Sequence, residues 1–225
     1  ITDRVSFGQT DLQVSRLCQG TAFRHLPRAD GPEGLAVLHH CLDQGINFFD
    51  SAQAYGWGGA EEVLGRAVAG RRDEVVLCTK VPASLAPSSE GDPGKRVRYT
   101  RAHLTERLEE SLHRLRTDYV DLYQIHKPDA STPIAETLEA LDGLVRAGKV
   151  RAIGCSNFSS AQLSEAMEAS RSRSITAFLT AQNEYNLLRR DIEADLVPVC
   201  LENSVCILPY YPLCGGLLTG KYRRG

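Results

Sequence analysis

The chain has 225 residues, 42% hydrophobic and 24% charged, with a formal net charge of −2. That length can bury one large core, and a near-neutral balance leaves no electrostatic footprint for nucleic acid. No apolar stretch approaches the roughly 20 residues that span a bilayer, and no signal-peptide pattern precedes Val5, so a cytoplasmic, non-membrane protein is expected. The pairs Arg71-Arg72, Arg189-Arg190 and Arg223-Arg224 read as solvated surface rather than a basic stripe. Seven cysteines, Cys18, Cys41, Cys78, Cys155, Cys200, Cys206 and Cys214, are dispersed and never paired at metal-ligand spacing. They point to a reducing compartment and give no expectation of a metal. Cys78 and Cys206 lie inside apolar runs and read as small buried hydrophobes.

In chain order, RVSFGQTDLQVS alternates around Gly8-Gln9-Thr10-Asp11 and predicts a hairpin placed to cap a barrel floor. From Leu17 onward, short apolar runs alternate with segments of helical periodicity, the pattern of βα units around a parallel sheet. Seven units begin, with strands predicted over 17–20, 46–50, 75–80, 120–126, 151–154, 179–182 and 205–209. Helices are predicted over 33–44, 60–69, 101–115, 134–147, 160–170 and 191–202. Leu104, Leu108, Leu112 and Leu115 recur at helical spacing, as do Leu138, Leu141 and Val145. Thr132 and Pro133 read as N-cap and first helical residue, and Gly148 as the left-handed residue past a helix end. The Ser-, Gly- and Pro-rich stretch 87–95 is a loop insertion, not a domain boundary.

The expected architecture is one α/β domain over residues 1–225, a TIM-type (β/α)8 barrel with an N-terminal β-hairpin. Such a barrel needs eight strands and typically about 250 residues. Seven strands leave two edges open, which anticipates either a natural chain that continues or a truncated, aggregation-prone one.

Four polar residues stand where strand ends deliver side chains to an active site. Asp50 and Tyr55 lie in NFFDSAQAYG, Lys80 ends VVLCTK, and His126 ends YVDLYQIH. A structural Asp50–Lys80 pair and a core histidine would explain some of them singly, but not the set. A carbonyl carbon receiving hydride builds negative charge on its oxygen, which calls for a proton donor and an electrostatic stabiliser. Tyr55 can donate, a Lys80 ammonium stabilises the phenolate, Asp50 keeps that lysine charged, and a neutral His126 orients the carbonyl.

The motifs INFFDSAQAYGWGGAEEVLGRAV, VVLCTK, SLHRLRTDYVDLYQIHKPD, IGCSNF, QNEYNLL and PYYPLCGGLLTGKY follow one another along the chain. In that order, and over nearly the whole chain, they resemble the aldo-keto reductases, barrel oxidoreductases that use a nicotinamide cofactor without a Rossmann fold. The resemblance implies hydride transfer between NADPH and an aldehyde, ketone or sugar carbonyl. It makes Asp50, Tyr55, Lys80 and His126 a catalytic tetrad, with Tyr55 the general acid in reduction and general base in oxidation. It assigns Ser156, Asn157 and Gln182, beside Asp50, to the carboxamide of the nicotinamide ring. Tyr210, with Tyr211 next to it, matches the aromatic on which that ring stacks. Leu213, Gly215, Leu217 and Lys221 match the loop around the pyrophosphate, and Gly20 and Thr21 the first strand's part of the cofactor floor. Trp57, together with Tyr55 and His126, is placed to touch substrate; Lys127 and Asp129 are further candidates. LCQGTAF departs from the family by lacking a glycine two positions before Gly20. The family's last strand and following helix, which carry the residues recognising the adenosine 2′-phosphate, are missing from these residues. NADP(H) is therefore the family's expectation, with NAD(H) open. Two other readings are a nucleotide-sensing subunit, as some family members serve channels, and a barrel aldolase with Lys80 as Schiff-base nucleophile.

Overall fold

The structure, a computed structural model, describes residues 3–22, 31–82 and 98–222. The insertion predicted over 87–95 and the pair Arg223-Arg224 lie outside the described residues.

Strands β1 (Arg4–Ser6) and β2 (Gln13–Ser15) pair antiparallel, with Val5 opposite Val14. The turn between them uses Gly8 at φ +60° and a Thr10 hydroxyl that donates to the Phe7 carbonyl at 2.7 Å. Seven parallel strands follow: β3 (Cys18–Gly20), β4 (Phe48–Asp50), β5 (Val76–Val81), β6 (Val120–Ile125), β7 (Val150–Ser156), β8 (Phe178–Glu184) and β9 (Cys206–Tyr210). They neighbour one another in chain order from β3 to β9. The helices are α1 (Pro32–Asp43), α2 (Gly59–Ala67), α3 (Arg101–Leu115), α4 (Ile134–Arg146), α5 (Ser160–Arg173) and α6 (Leu196–Glu202). The sheet is curled: Gln182 of β8 donates to Asp50 of β4 at 3.2 Å although the two strands are four places apart in the strand order.

Alternation along the strands builds two apolar layers. Outward residues such as Phe49, Leu77, Tyr123 and Ile153 pack against Leu104, Leu108, Leu112 and Leu115 of α3 and Leu138, Leu141 and Leu144 of α4. Inward residues Phe48, Val76, Cys78, Leu122 and Ala152 meet Phe7 and Val14 of the hairpin. Phe7 and Phe48 stack edge-on at 5.1 Å, and the Asn47 carboxamide bonds both the Ser15 amide and the Gln13 carbonyl. The hairpin thus seals the amino-terminal ends of the strands, as expected, and leaves their carboxyl ends for chemistry. No helix among the described residues is long and apolar enough to cross a membrane.

Four local expectations are corrected. Thr132 does not cap α4: Pro133 is the N-cap, and the Thr132 hydroxyl instead donates to Asp129 at 2.6 Å. The helix predicted over 191–202 splits into a 3-10 turn (Asp191–Glu193) and α6, because Pro198 is tolerated only in a first turn and Asp195 caps the new start. Cys206 is half-buried rather than buried, unlike Cys78. Arg72 is no solvated residue: it bonds the buried Asp121 at 2.8 Å and the carbonyls of Val75 and Tyr119. Gly148, at φ +72° just past α4, takes the left-handed conformation predicted for it.

Candidate active site

Asp50 ends β4, Lys80 lies near the end of β5, and His126 follows β6, so adjacent parallel strands deliver all three to one mouth. Between Asp50 and α2 the chain makes a 3-10 turn, Tyr55–Gly58, with positive φ at Gly56, Trp57 and Gly58. That sharp turn folds the Tyr55 side chain back over the strand ends. Lys80 is fully buried, and its ammonium donates to Asp50 Oδ2 at 2.6 Å, the Ser51 carbonyl at 2.8 Å and the Tyr55 hydroxyl at 3.3 Å. The Tyr55 and His126 rings meet edge-on with centroids 5.8 Å apart. The four predicted residues therefore converge.

Their electrostatics follow from burial and charge. Burial works against the Lys80 ammonium, but Asp50, Tyr55 and Cys78 outweigh it and raise its pKa, so the lysine is charged at any physiological pH. For Tyr55, burial is the larger effect and the nearby ammonium the opposing one, leaving the phenol above its ordinary value of 10.0. The ammonium thus acts on the phenol in the stabilising direction and offsets desolvation only in part. Burial first, and the Lys80 charge second, push His126 down from 6.5 to about 4, so the imidazole is neutral at pH 7.

A second group lines the mouth beside them. Ser156 ends β7, and Asn157, at φ +62°, donates from Nδ2 to the His126 carbonyl at 2.9 Å and to Ser156 Oγ at 3.0 Å. The Tyr210 hydroxyl donates to Asn157 Oδ1 at 2.8 Å, and the Tyr210 and Tyr211 rings pack edge-on at 5.3 Å. Ser156, Asn157, Gln182 and Tyr210 are thus joined to the Asp50–Lys80 pair through Gln182 and to His126 through Asn157. Beyond β9, Leu213 and Leu217 are exposed around a turn in which Gly215 and Gly216 have positive φ and Lys221 approaches Gly216. Open backbone, two left-handed glycines and a cation suit an anionic group.

Other predicted residues lie around this cluster. Thr21 is fully buried, and its hydroxyl is spent on Ser51 Oγ at 2.9 Å while its amide donates to the Asp50 carbonyl. It braces the Asp50–Ser51 segment. Gly20 is exposed beside it. Asp129 accepts from Ser131, Thr132 and the Tyr99 amide, so its oxygens stitch a loop. Trp57 is 45% exposed at the rim and Lys127 is exposed. Ser51 was not anticipated; its carbonyl accepts from Lys80, and backbone acceptors leave no trace in residue type.

A curled parallel sheet with its polar cluster at the strand carboxyl ends defines a barrel of the (β/α)8 class. The family model described as aldo/keto reductase matches residues 16–225, and the chain belongs to that family. Aldo-keto reductase YhdN of Bacillus subtilis (strain 168) is 39% identical over 222 residues, which are 96% of this chain and 63% of that protein. A probable voltage-gated potassium channel subunit beta of Arabidopsis thaliana is 35% identical over 225 residues, 98% of this chain and 66% of its own length. The chain thus spans about two thirds of the curated relatives it matches. Among solved structures, a glycerol dehydrogenase from Gluconobacter oxydans superposes with a TM-score of 0.85 at 35% identity, covering 99% of this chain and 67% of its own. An aldo-keto reductase from Bacillus halodurans in its holo form gives 0.87 at 29% identity, covering 100% and 71%.

Proposed function

We propose that the protein transfers a hydride between NADPH and an aldehyde, ketone or sugar carbonyl, with residues 1–225 forming a single barrel domain. The observation that carries this reading is one buried ammonium, Lys80, bonded at once to Asp50 and to the Tyr55 hydroxyl. The nicotinamide supplies the hydride. As negative charge grows on the substrate oxygen, Tyr55 gives it a proton, and the phenolate left behind is stabilised by Lys80. Asp50 holds Lys80 charged through the step. His126, neutral at working pH, donates a ring N–H to the same oxygen and so fixes the carbonyl's direction. In the oxidation direction Tyr55 acts as the base.

The donor set fits a nicotinamide. Ser156, Asn157 and Gln182 present amide and hydroxyl groups suited to a carboxamide, and Tyr210 a flat face that orients the ring. The turn from Leu213 to Lys221 suits the pyrophosphate. NADP(H) is favoured over NAD(H) by family membership alone. The aldolase reading is disfavoured by the Asp50–Lys80 pair, because a lysine held protonated is no nucleophile. A cofactor-responsive channel subunit is kept as a second reading, because the 35% identity to the Arabidopsis channel-subunit protein extends over 98% of this chain.

The test is a fluorescence titration of the full-length natural protein with NADPH, alongside Tyr55→Phe and Gln182→Ala. Tyr55→Phe is expected to bind like the wild type and Gln182→Ala to bind more weakly. No binding by the wild type would contradict the proposal.

A further inference from the structure

We propose that Glu61 is a positioning residue that, through Thr79 and Arg114, sets the distance between the Tyr55 hydroxyl and the Lys80 ammonium. This rests on the reductase reading of that pair.

Glu61 belongs to the first turn of α2, on the face where Ala60, Val63, Leu64 and Ala67 enter the core, and it is fully buried. A carboxylate there is costly unless it is paired and hydrogen-bonded. Both conditions are met. Its Oε1 accepts from the Thr79 hydroxyl at 2.5 Å, and its Oε2 from Arg114 Nε at 2.6 Å. Thr79 is the residue before Lys80 on β5, and alternation turns its side chain outward as Lys80 turns inward. Glu61 comes just after the turn that carries Tyr55. One carboxylate therefore joins the segment bearing the proton donor to the strand bearing its ammonium.

The surroundings hold this link rigid. Arg114 runs beneath the turn: a Cβ on Gly58 would sit 2.6 Å from Arg114 Cδ. At Gly65 a Cβ would lie 2.6 Å from the Arg114 carbonyl oxygen, so α2 and α3 touch backbone to backbone. Gln53, at the near end of the Tyr55 segment, donates to Glu110 of α3 at 2.5 Å, and its amide donates to the Lys80 carbonyl at 3.3 Å. The segment from Gln53 to Glu61 is thus fastened at both ends to β5 and to α3. The Lys80–Tyr55 bond, at 3.3 Å, is already long, so small movement breaks it.

The experiment uses the full-length protein with Thr79→Val, Thr79→Ser and Glu61→Gln, and Leu112→Ala as a packing control on α3. Turnover, cofactor affinity, thermal stability and crystal structures are compared. Thr79→Val is expected to lower kcat about tenfold, within the range that an ångström-scale misplacement produces, with cofactor affinity unchanged and Thr79→Ser restoring the rate. In the Thr79→Val crystal structure the Tyr55–Lys80 separation is expected to exceed hydrogen-bonding distance. Leu112→Ala should lose stability with kcat unchanged. A Thr79→Val protein that loses stability but keeps both kcat and the separation would overturn the proposal, whether or not Glu61→Gln folds. Absence of turnover in the wild type would sink the reductase reading, and the crystallographic separation would still decide the positioning role.

Discussion

The Lys80 ammonium is the residue on which the proposed chemistry turns, because it is buried and yet charged. Its neighbour His126 is the opposite case, buried and neutral, and this has a measurable consequence. The unfolded imidazole takes up its proton near pH 6.5, whereas the folded one does so only near pH 4. Between those values the unfolded state binds more protons, so the contribution of His126 to stability is complete above about pH 6.5 and is lost as pH falls towards 4. Urea denaturation of wild type and His126→Gln at pH 7 and pH 5 should show a smaller drop in the variant. An equal drop would mean that His126 is not held neutral by its site. At this scale the sequence was informative where a polar residue closes an apolar run, as with Asp50, Lys80 and His126. It was uninformative where a side chain's partner decides its role. Thr21 and Asp129 stand beside the mouth in the chain, yet their oxygens are turned to Ser51 and to the Asp129–Thr132 loop.

Helices α2 and α3 approach through Gly65, which has no conformational reason to be glycine but a steric one. A Gly65→Ala side chain would meet the carbonyls of Arg114 and Leu115 at 2.6 and 2.8 Å, atoms that cannot swing aside. We expect a loss of about 1–3 kcal/mol, the usual cost of overpacking, read by thermal or urea unfolding. Wild-type stability in that variant would mean that the two helices are not in backbone contact. The leucine stripes of α3 and α4 were legible because helical periodicity reports burial directly. Glu61 was not, since the same pattern assigns a charged residue to the solvent face, and only the Thr79 and Arg114 partners reverse that. The α4 cap was misplaced by one residue for a similar reason: the Thr132 hydroxyl found Asp129 before it found a helix amide.

Across the whole molecule the two ends of the strands carry different tasks. The carboxyl ends hold the proposed active site; the amino ends are fastened by the hairpin and by Asp121. This fully buried carboxylate of β6 accepts from Arg72 at 2.8 Å, from Arg151 at 2.9 Å and from the Leu77 amide. The two guanidinium groups also lie 3.9 and 4.5 Å from the Tyr119 ring centroid. Asp121→Ala leaves Arg72 without its carboxylate and is expected to cost about 3–5 kcal/mol while leaving cofactor affinity of the folded protein unchanged. Unaltered unfolding would show that this cluster is not a fastening. The barrel class and strand order were legible because seven apolar runs alternate with six segments of helical pattern. The particular bond from Gln182 to Asp50 across that curled sheet was not, since it arises from strand pairing that no single segment records.

In the mechanism proposed, Tyr55 passes a proton to a carbonyl under the influence of Lys80. The direct measurement is NADPH oxidation by absorbance, in the full-length protein and its Tyr55→Phe variant, with a panel of aldehydes, ketones and aldoses. Turnover is expected in the wild type, with a fall of about two to four decades in Tyr55→Phe, the range for removal of a positioned acid. Undiminished turnover in the variant would contradict it, and NADPH binding without turnover on any carbonyl would favour the channel-subunit reading.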